Sequence, residues 1–134
     1  VKDVDFGRNE ITIRGGKGQK DRMTLLPKKL KLPLQAHLLR RKRQHGDDTS
    51  GGCGSVELPL AVARKYPNAA GEWIWQWVFP ATRHYTDSET GQRRRHHLHE
   101  SVIQRAMRAA VKDAGLPKRA SCHTLRHSFA THLL

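Results

Sequence analysis

From Glu10 to Arg14, β-branched apolar residues alternate with polar ones; Gly15-Gly16-Lys17-Gly18 then offers a turn, and the chain resumes with Arg22-Met23-Thr24-Leu25-Leu26. This pattern predicts a β-hairpin with a basic tip. Pro27 closes it, and Leu30, Leu34, Leu38 and Leu39 recur at helical spacing among basic residues, predicting a helix over 28–46 with one apolar stripe facing a core. Gly46 to Gly54 holds almost nothing to bury and predicts a loop, with a short helix following around Pro59–Lys65. Trp73, Trp75 and Trp77 alternate ahead of Val78-Phe79, which predicts a strand carrying all three indoles on one face. The segment from Ala81 to Arg95 is polar. Beyond it Val102, Ile103, Ala106, Met107, Ala110 and Val111 recur with helical period, Ser101 with Gln104 fits a capping box, and Gly115 reads as a helix stop. A last helix starts near His123. The expected fold class is α+β, mostly helical, with one small antiparallel sheet.

Charge narrows the function classes. The 134 residues carry 25 Lys+Arg against 12 Asp+Glu, a net charge of +13, which favours a polyanionic partner by raising the local concentration of phosphate-bearing ligands. Nucleic acid is the leading partner, and a basic face kept only for solubility is the bland alternative. No apolar run is long enough to span a bilayer and no signal-like segment opens the chain, so neither a membrane nor a secreted protein is expected. Cys53 and Cys122 are too few for a disulfide framework and lack metal-ligand spacing; a reducing cytoplasm fits them best. His96, His97 and His99 lack carboxylate or cysteine partners at ligand spacing, so no metal and no cofactor are expected. The chain opens without a methionine and closes in mid-helix, consistent with a piece of a longer protein.

His123 and Arg126 stand three apart at a helix start, so an imidazole and a guanidinium fork project from one face and can grip one phosphate. By itself the pair is weak, since any basic helix can carry it by chance. The runs Arg40-Arg41-Lys42-Arg43 and Arg93-Arg94-Arg95 are expected to contact backbone phosphate or to stay solvated, contributing affinity rather than identity.

The surrounding residues are more specific. Ser121-Cys122-His123-Thr124-Leu125-Arg126-His127-Ser128-Phe129-Ala130-Thr131-His132-Leu133-Leu134 resembles the box that carries the His-x-x-Arg pair in tyrosine recombinases, the lambda-integrase-like strand-exchange enzymes. Gly16-Lys17-Gly18-Gln19-Lys20-Asp21-Arg22 resembles that family's lysine-bearing hairpin, in the expected order along the chain. Lys65-Tyr66-Pro67-Asn68-Ala69-Ala70, Trp75-Gln76-Trp77-Val78-Phe79-Pro80 and Arg94-Arg95-His96-His97-Leu98-His99 are together similar to the insertion of integron integrases.

The resemblance covers the whole chain and implies a partial catalytic domain: a hairpin region over 1–27, a helix over 28–46, the insertion over 55–97, and helices with the box over 98–134. An N-terminal DNA-clamping domain and a C-terminal tyrosine segment would lie outside it. It implies catalytic roles for Lys17, His123 and Arg126, with Lys17 as general acid for the 5′ leaving hydroxyl and Lys20 as the other tip lysine. It also implies DNA binding by Trp75, His96, His97, Lys20, Arg94 and Arg95. Trp75 would stack on an extrahelical base and His96 with His97 would form a second pocket, whose wall holds Ser88 where relatives commonly have proline. Trp73 and Trp77 are expected to be core, the ordinary fate of tryptophans at strand spacing.

The activity implied is metal-free transesterification through a 3′-phosphotyrosine, integrating or excising gene cassettes at folded single-stranded sites in a bacterial cytoplasm, with a homotetramer assembled on DNA. Tyr66 and Tyr85, the two tyrosines present, do not occupy the family's nucleophile position. The alternative class is a non-catalytic basic DNA-binding module derived from a recombinase, with a metal-dependent nuclease a distant third.

Overall fold

The computed structural model describes residues 1–16 and 18–132. Two compact units divide the chain, Val1–His97 and Leu98–Leu134. The class is α+β: four helices and two small antiparallel sheets, where the alternation pattern predicted a single sheet.

In the larger unit, β1 (Val4–Asp5), β2 (Glu10–Ile13) and β3 (Arg22–Leu25) form the first sheet in that order. Glu10 pairs with Leu25 and Ile13 with Arg22, so the predicted hairpin is present. Its turn end is tied by charge: Arg14 Nε donates to Asp3 Oδ1 at 2.7 Å and Arg14 Nη1 to Asp21 Oδ2 at 3.1 Å. At the turn, Gln19 N donates to Gly16 O at 2.8 Å, and positive φ at Gly15, Gly18 and Gln19 makes the reversal possible.

Helix α1 runs from Lys28 to Ser50, past the end expected near residue 46, so most of the segment predicted as a loop is helical. It stops where Gly52 takes a left-handed conformation, φ 70°, and Cys53 N donates back to Asp48 O at 2.8 Å. The inward stripe also differs from the leucine pattern. Leu38 is buried, but Leu30 and Leu39 are 53% and 65% exposed. The face turned to the rest of the unit carries His37, Arg41, His45 and Asp48, a polar stripe that a hydrophobic pattern cannot register.

Each of these polar residues except Arg41 holds a piece of the segment that follows. His37 Nε2 donates to Val78 O at 2.7 Å and its ring stacks on Phe79 at 5.0 Å. His45 lies 5.9 Å from the Trp73 ring. Asp48 receives Arg95 Nε at 2.8 Å and Arg95 Nη2 at 2.7 Å. Arg41 is buried and its Nε has no hydrogen-bond partner.

After α2 (Leu60–Lys65), two short 3-10 turns replace the predicted tryptophan strand, Ala69–Gly71 and Trp73–Trp75. The turn is fixed from below: the buried Gln76 amide donates to the carbonyls of Gly54, Ala70 and Glu72 at 3.1, 3.1 and 3.2 Å. Three carbonyls around one side chain require the backbone to curl, which an extended strand does not permit.

The polar stretch from 81 to 95 forms the second sheet, β4 (Pro80–Thr86) against β5 (Arg93–His97). Its register is irregular: His84 faces Arg95 and Pro80 faces His97, so residues 81–83 bulge opposite the single residue His96. The buried apolar residues of this unit are few, Leu26, Leu38, Cys53, Val56 and Ala69, which places unusual weight on its polar contacts.

In the smaller unit, α3 (Glu100–Asp113) is capped by His99, whose Nδ1 accepts from Ser101 N at 3.2 Å, in place of the Ser101–Gln104 box. Gly115 follows with φ 61°. Helix α4 (Cys122–His132) starts on a reciprocal cap: Ser121 N donates to Thr124 Oγ1 at 3.1 Å and Thr124 N to Ser121 Oγ at 3.4 Å.

Two expectations follow from this packing. A Cβ on Gly54 would meet Thr49 Cα at 2.8 Å and Thr49 N at 2.9 Å, besides its hydroxyl. Gly54→Ala is therefore expected to destabilise the larger unit by about 1–3 kcal/mol in denaturant unfolding, and Thr49→Ala in the same chain will not rescue it because the backbone clash remains. Burial pushes the Asp48 carboxyl up, but the hydrogen bonds and charge of Arg95, with His84, outweigh it and hold the carboxyl below its ordinary range. Its contribution is thus complete above the usual aspartate range and lost as pH falls through the depressed value. Asp48→Asn is expected to lower stability at neutral pH and to flatten the acid limb of a stability-against-pH curve; an unchanged acid limb would remove Asp48 from that role.

Candidate nucleic-acid interface

Lys17, expected at the hairpin tip, lies outside the described residues. Lys20 is exposed beside the tip turn, three residues past Lys17, and its carbonyl accepts from Gly16 N at 3.2 Å. The tip is thus a tight, glycine-shaped turn with a cation on its solvent side.

The tryptophans sort differently from their spacing. Trp75 is half-buried, and Lys2 Nζ stands 5.0 Å from its ring centroid, so one face of the indole already holds a cation. Trp73 is half-buried against His45. Trp77, expected in the core, is 37% exposed because the 3-10 turn ends before it and Gln76, not Trp77, takes the inward position.

Trp77 joins the histidine pair. Its ring stacks on His96 at 6.1 Å with an interplanar angle of 20°, and meets His97 edge-on at 5.3 Å. Tyr85 lies 5.8 Å from His96, and the two imidazoles are 4.1 Å apart. His97 N donates to His96 Nδ1 at 2.7 Å, which fixes that ring's orientation. The result is a surface platform of four rings built from the end of the tryptophan turn and from both strands of the second hairpin. Periodicity missed Trp77 because it assumed an extended backbone; the adjacency of aromatics to a histidine pair was the signal available.

The three arginines before the pair have separate fates. Arg93 is exposed. Arg94 Nη1 lies 3.0 Å from Asp87 Oδ2, and Nη2 donates to Gln92 Oε1 at 2.9 Å, so part of its charge is balanced locally. Arg95, expected on DNA, is 7% exposed. Besides its two bonds to Asp48, Nη1 donates to Ala81 O at 2.9 Å and Thr82 O at 2.8 Å, and Nη2 lies 2.9 Å from His84 Nε2. Of the five N–H donors of the guanidinium, four bond to Asp48, Ala81 and Thr82 and the fifth faces the His84 ring, so none is turned outward for a phosphate. Burial likewise removes Arg41 from the exposed run Arg40-Arg41-Lys42-Arg43.

Asp48, Cys53 and His84 bring one ligand atom each within 4.8 Å of one another, a possible metal set. Arg95 spans both Asp48 oxygens there and approaches His84 Nε2, so a divalent ion would meet a guanidinium already in place.

In the smaller unit, α4 presents His123 and Arg126, both exposed, one turn apart. His127 Nε2 lies 2.8 Å from His123 Nε2 with the rings at 84°, so one imidazole donates to the other. A depression lined by Arg108, Val111, Arg119, Ala120 and Ser121 adjoins the start of this helix. The guanidiniums of Arg108 and Arg119 that line it suit an anion. Among the described residues, no helix is long and apolar enough to cross a membrane.

Comparison with known proteins identifies the family. The phage integrase family model matches residues 1–134. Proteins named integrase/recombinase from Escherichia coli and Pseudomonas aeruginosa are each 47% identical over 134 residues, all of this chain and 40% of their own length. Tyrosine recombinase XerD of Brucella abortus is 33% identical over 120 residues, 89% of this chain and 28% of its own length. The chain thus spans well under half of the relatives it matches. By the family model's match over its whole length, the chain belongs to the phage integrase family.

Proposed function

We propose that the chain is part of the catalytic domain of a site-specific DNA recombinase of the integron-integrase kind, one that recognises folded single strands by their unpaired bases. The observation that carries this is the platform of exposed Trp77, His96 and His97 with half-buried Tyr85 on the 55–97 segment. Aromatic and imidazole faces offered to solvent suit an extruded base, worth about 1–3 kcal/mol per stacked base, whereas paired duplex offers no free face. Trp75 contributes a second stacking surface on the ring face that Lys2 leaves open.

Strand exchange follows from the charged groups. Arg126 and His123 hold a phosphate whose non-bridging oxygens gain charge as a tyrosine hydroxyl attacks. The phosphorus–tyrosine bond forms as the hydroxyl proton passes to solvent, the bond to the 5′ oxygen breaks, and Lys17 gives that oxygen a proton. Reversal by a second 5′ hydroxyl rejoins the strand, so bond energy is conserved and no metal or nucleotide is consumed. The nucleophile belongs to a tyrosine downstream of the box, and four protomers share two DNA sites in a bacterial cytoplasm. Lys20, Arg93 and Arg94 supply phosphate contacts.

A binding titration over a salt series tests this, comparing a hairpin with extruded bases and a fully paired duplex of equal length. The hairpin is expected to bind more tightly, and Trp77→Ala to cost it about 1–3 kcal/mol while sparing the duplex. Each phosphate contact steepens the log–log salt slope by about 0.9 on duplex and 0.7 on single strands. Equal, steeply salt-dependent binding of both would leave only a basic DNA-binding module. The chain by itself is expected to form no covalent protein–DNA adduct on a nicked or suicide substrate; an adduct trapped on Tyr66 or Tyr85 would overturn the assignment of the nucleophile.

A further inference from the structure

We propose that Arg95 is a positioning residue for base recognition: it holds the bulged strand β4 against α1 and thereby sets where His96 and His97 stand. This rests on the platform having the role proposed above.

The geometry is local and closed. The bulge at residues 81–83 lies opposite His96 alone, so the ladder there cannot pair every carbonyl. Arg95, the residue just before His96, donates Nη1 to two carbonyls of the bulge, Ala81 O at 2.9 Å and Thr82 O at 2.8 Å. The remaining edge of the same guanidinium makes the fork on Asp48 at 2.7 and 2.8 Å. One planar group therefore joins three things: the bulge of β4, the backbone of β5 next to the histidine pair, and the last turn of α1. His84, at the bulge's far end, packs on the same carboxylate at 3.0 Å.

Without the cap, two part-buried carbonyls lose their partners, and the bulge has reason to close or slide. A register shift of one residue turns a strand's side chains to the opposite face, so His96 would leave Trp77 and Tyr85. A lysine cannot replace the group, since a single ammonium does not make a bidentate fork and cap two carbonyls at once.

The test uses the native chain, Arg95→Lys, and the double variant Asp48→Leu/Arg95→Met, which removes the buried pair as a whole and so protects folding. Amide hydrogen exchange of residues 80–97 is read first, and the hairpin-to-duplex affinity ratio second, with Trp77→Ala as the reference for a lost platform. Both variants are expected to exchange faster over 80–97 while β1–β3 amides stay unchanged. Both are expected to lose about tenfold of the hairpin preference, within the span of one stacked base, with duplex affinity unchanged within about twofold. Unchanged exchange, or faster exchange with the preference intact, overturns the positioning role, as does an equal loss on both DNAs. A native chain with no hairpin preference overturns the proposed function and this role together; a native preference that both variants keep overturns only the role of Arg95.

Discussion

A buried guanidinium with four donors on protein oxygens and its fifth against His84 is the constraint on which the larger unit depends. Arg95 meets the carboxylate of Asp48, two bulge carbonyls and His84, and each of those groups belongs to a different local conformation. Taking both ions out of water costs several kcal/mol, recovered only because the geometry is bidentate and the Nη1 donors are also satisfied. Few apolar side chains are fully buried in this unit, so hydrophobic burial leaves the arrangement underdetermined. Polar anchors decide it. His37, His45 and Asp48 lie at intervals of about two helical turns or less along one face of α1, and each takes hold of a successive part of the chain between Trp73 and Arg95.

Directional contacts of this kind suit a surface that must display rings rather than hide them. An apolar core would draw Trp77 inward; the Gln76 amide, which needs three carbonyls around it, occupies the inward position instead and leaves Trp77 beside His96. Charge is divided in the same way. Arg95 is consumed by structure, Arg94 is partly neutralised by Asp87, and Arg93 stays exposed. Three adjacent arginines thus have three roles, set by strand alternation and by where the acidic partners fall. In the smaller unit the His-x-x-Arg helix is organised by short-range features alone: a reciprocal Ser121–Thr124 cap and the His123–His127 contact one turn on.

Elements governed by local rules were legible in the sequence. The first hairpin follows from alternation around a glycine turn and α3 from its helical period, because their hydrogen bonds close within a few residues. The box around His123 and Arg126 was recognisable for the same reason: its spacing is its geometry. The extent of α1 was not legible, since its last turn is used through Asp48, whose partner is 47 residues away. Nor was the second hairpin, whose strands are polar and whose register is bent by a bulge.

The sequence by itself determined the basic character, the α+β class and the family, because charge, periodicity and motif spacing are properties of neighbours along the chain. Only the tertiary structure decided which tryptophan stands beside the histidine pair and which arginine is removed from solvent. Those outcomes depend on contacts across tens of residues, Arg95 with Asp48 and Gln76 with Gly54, where the free energy of a buried, hydrogen-bonded polar group overrides the local preference of the segment carrying it.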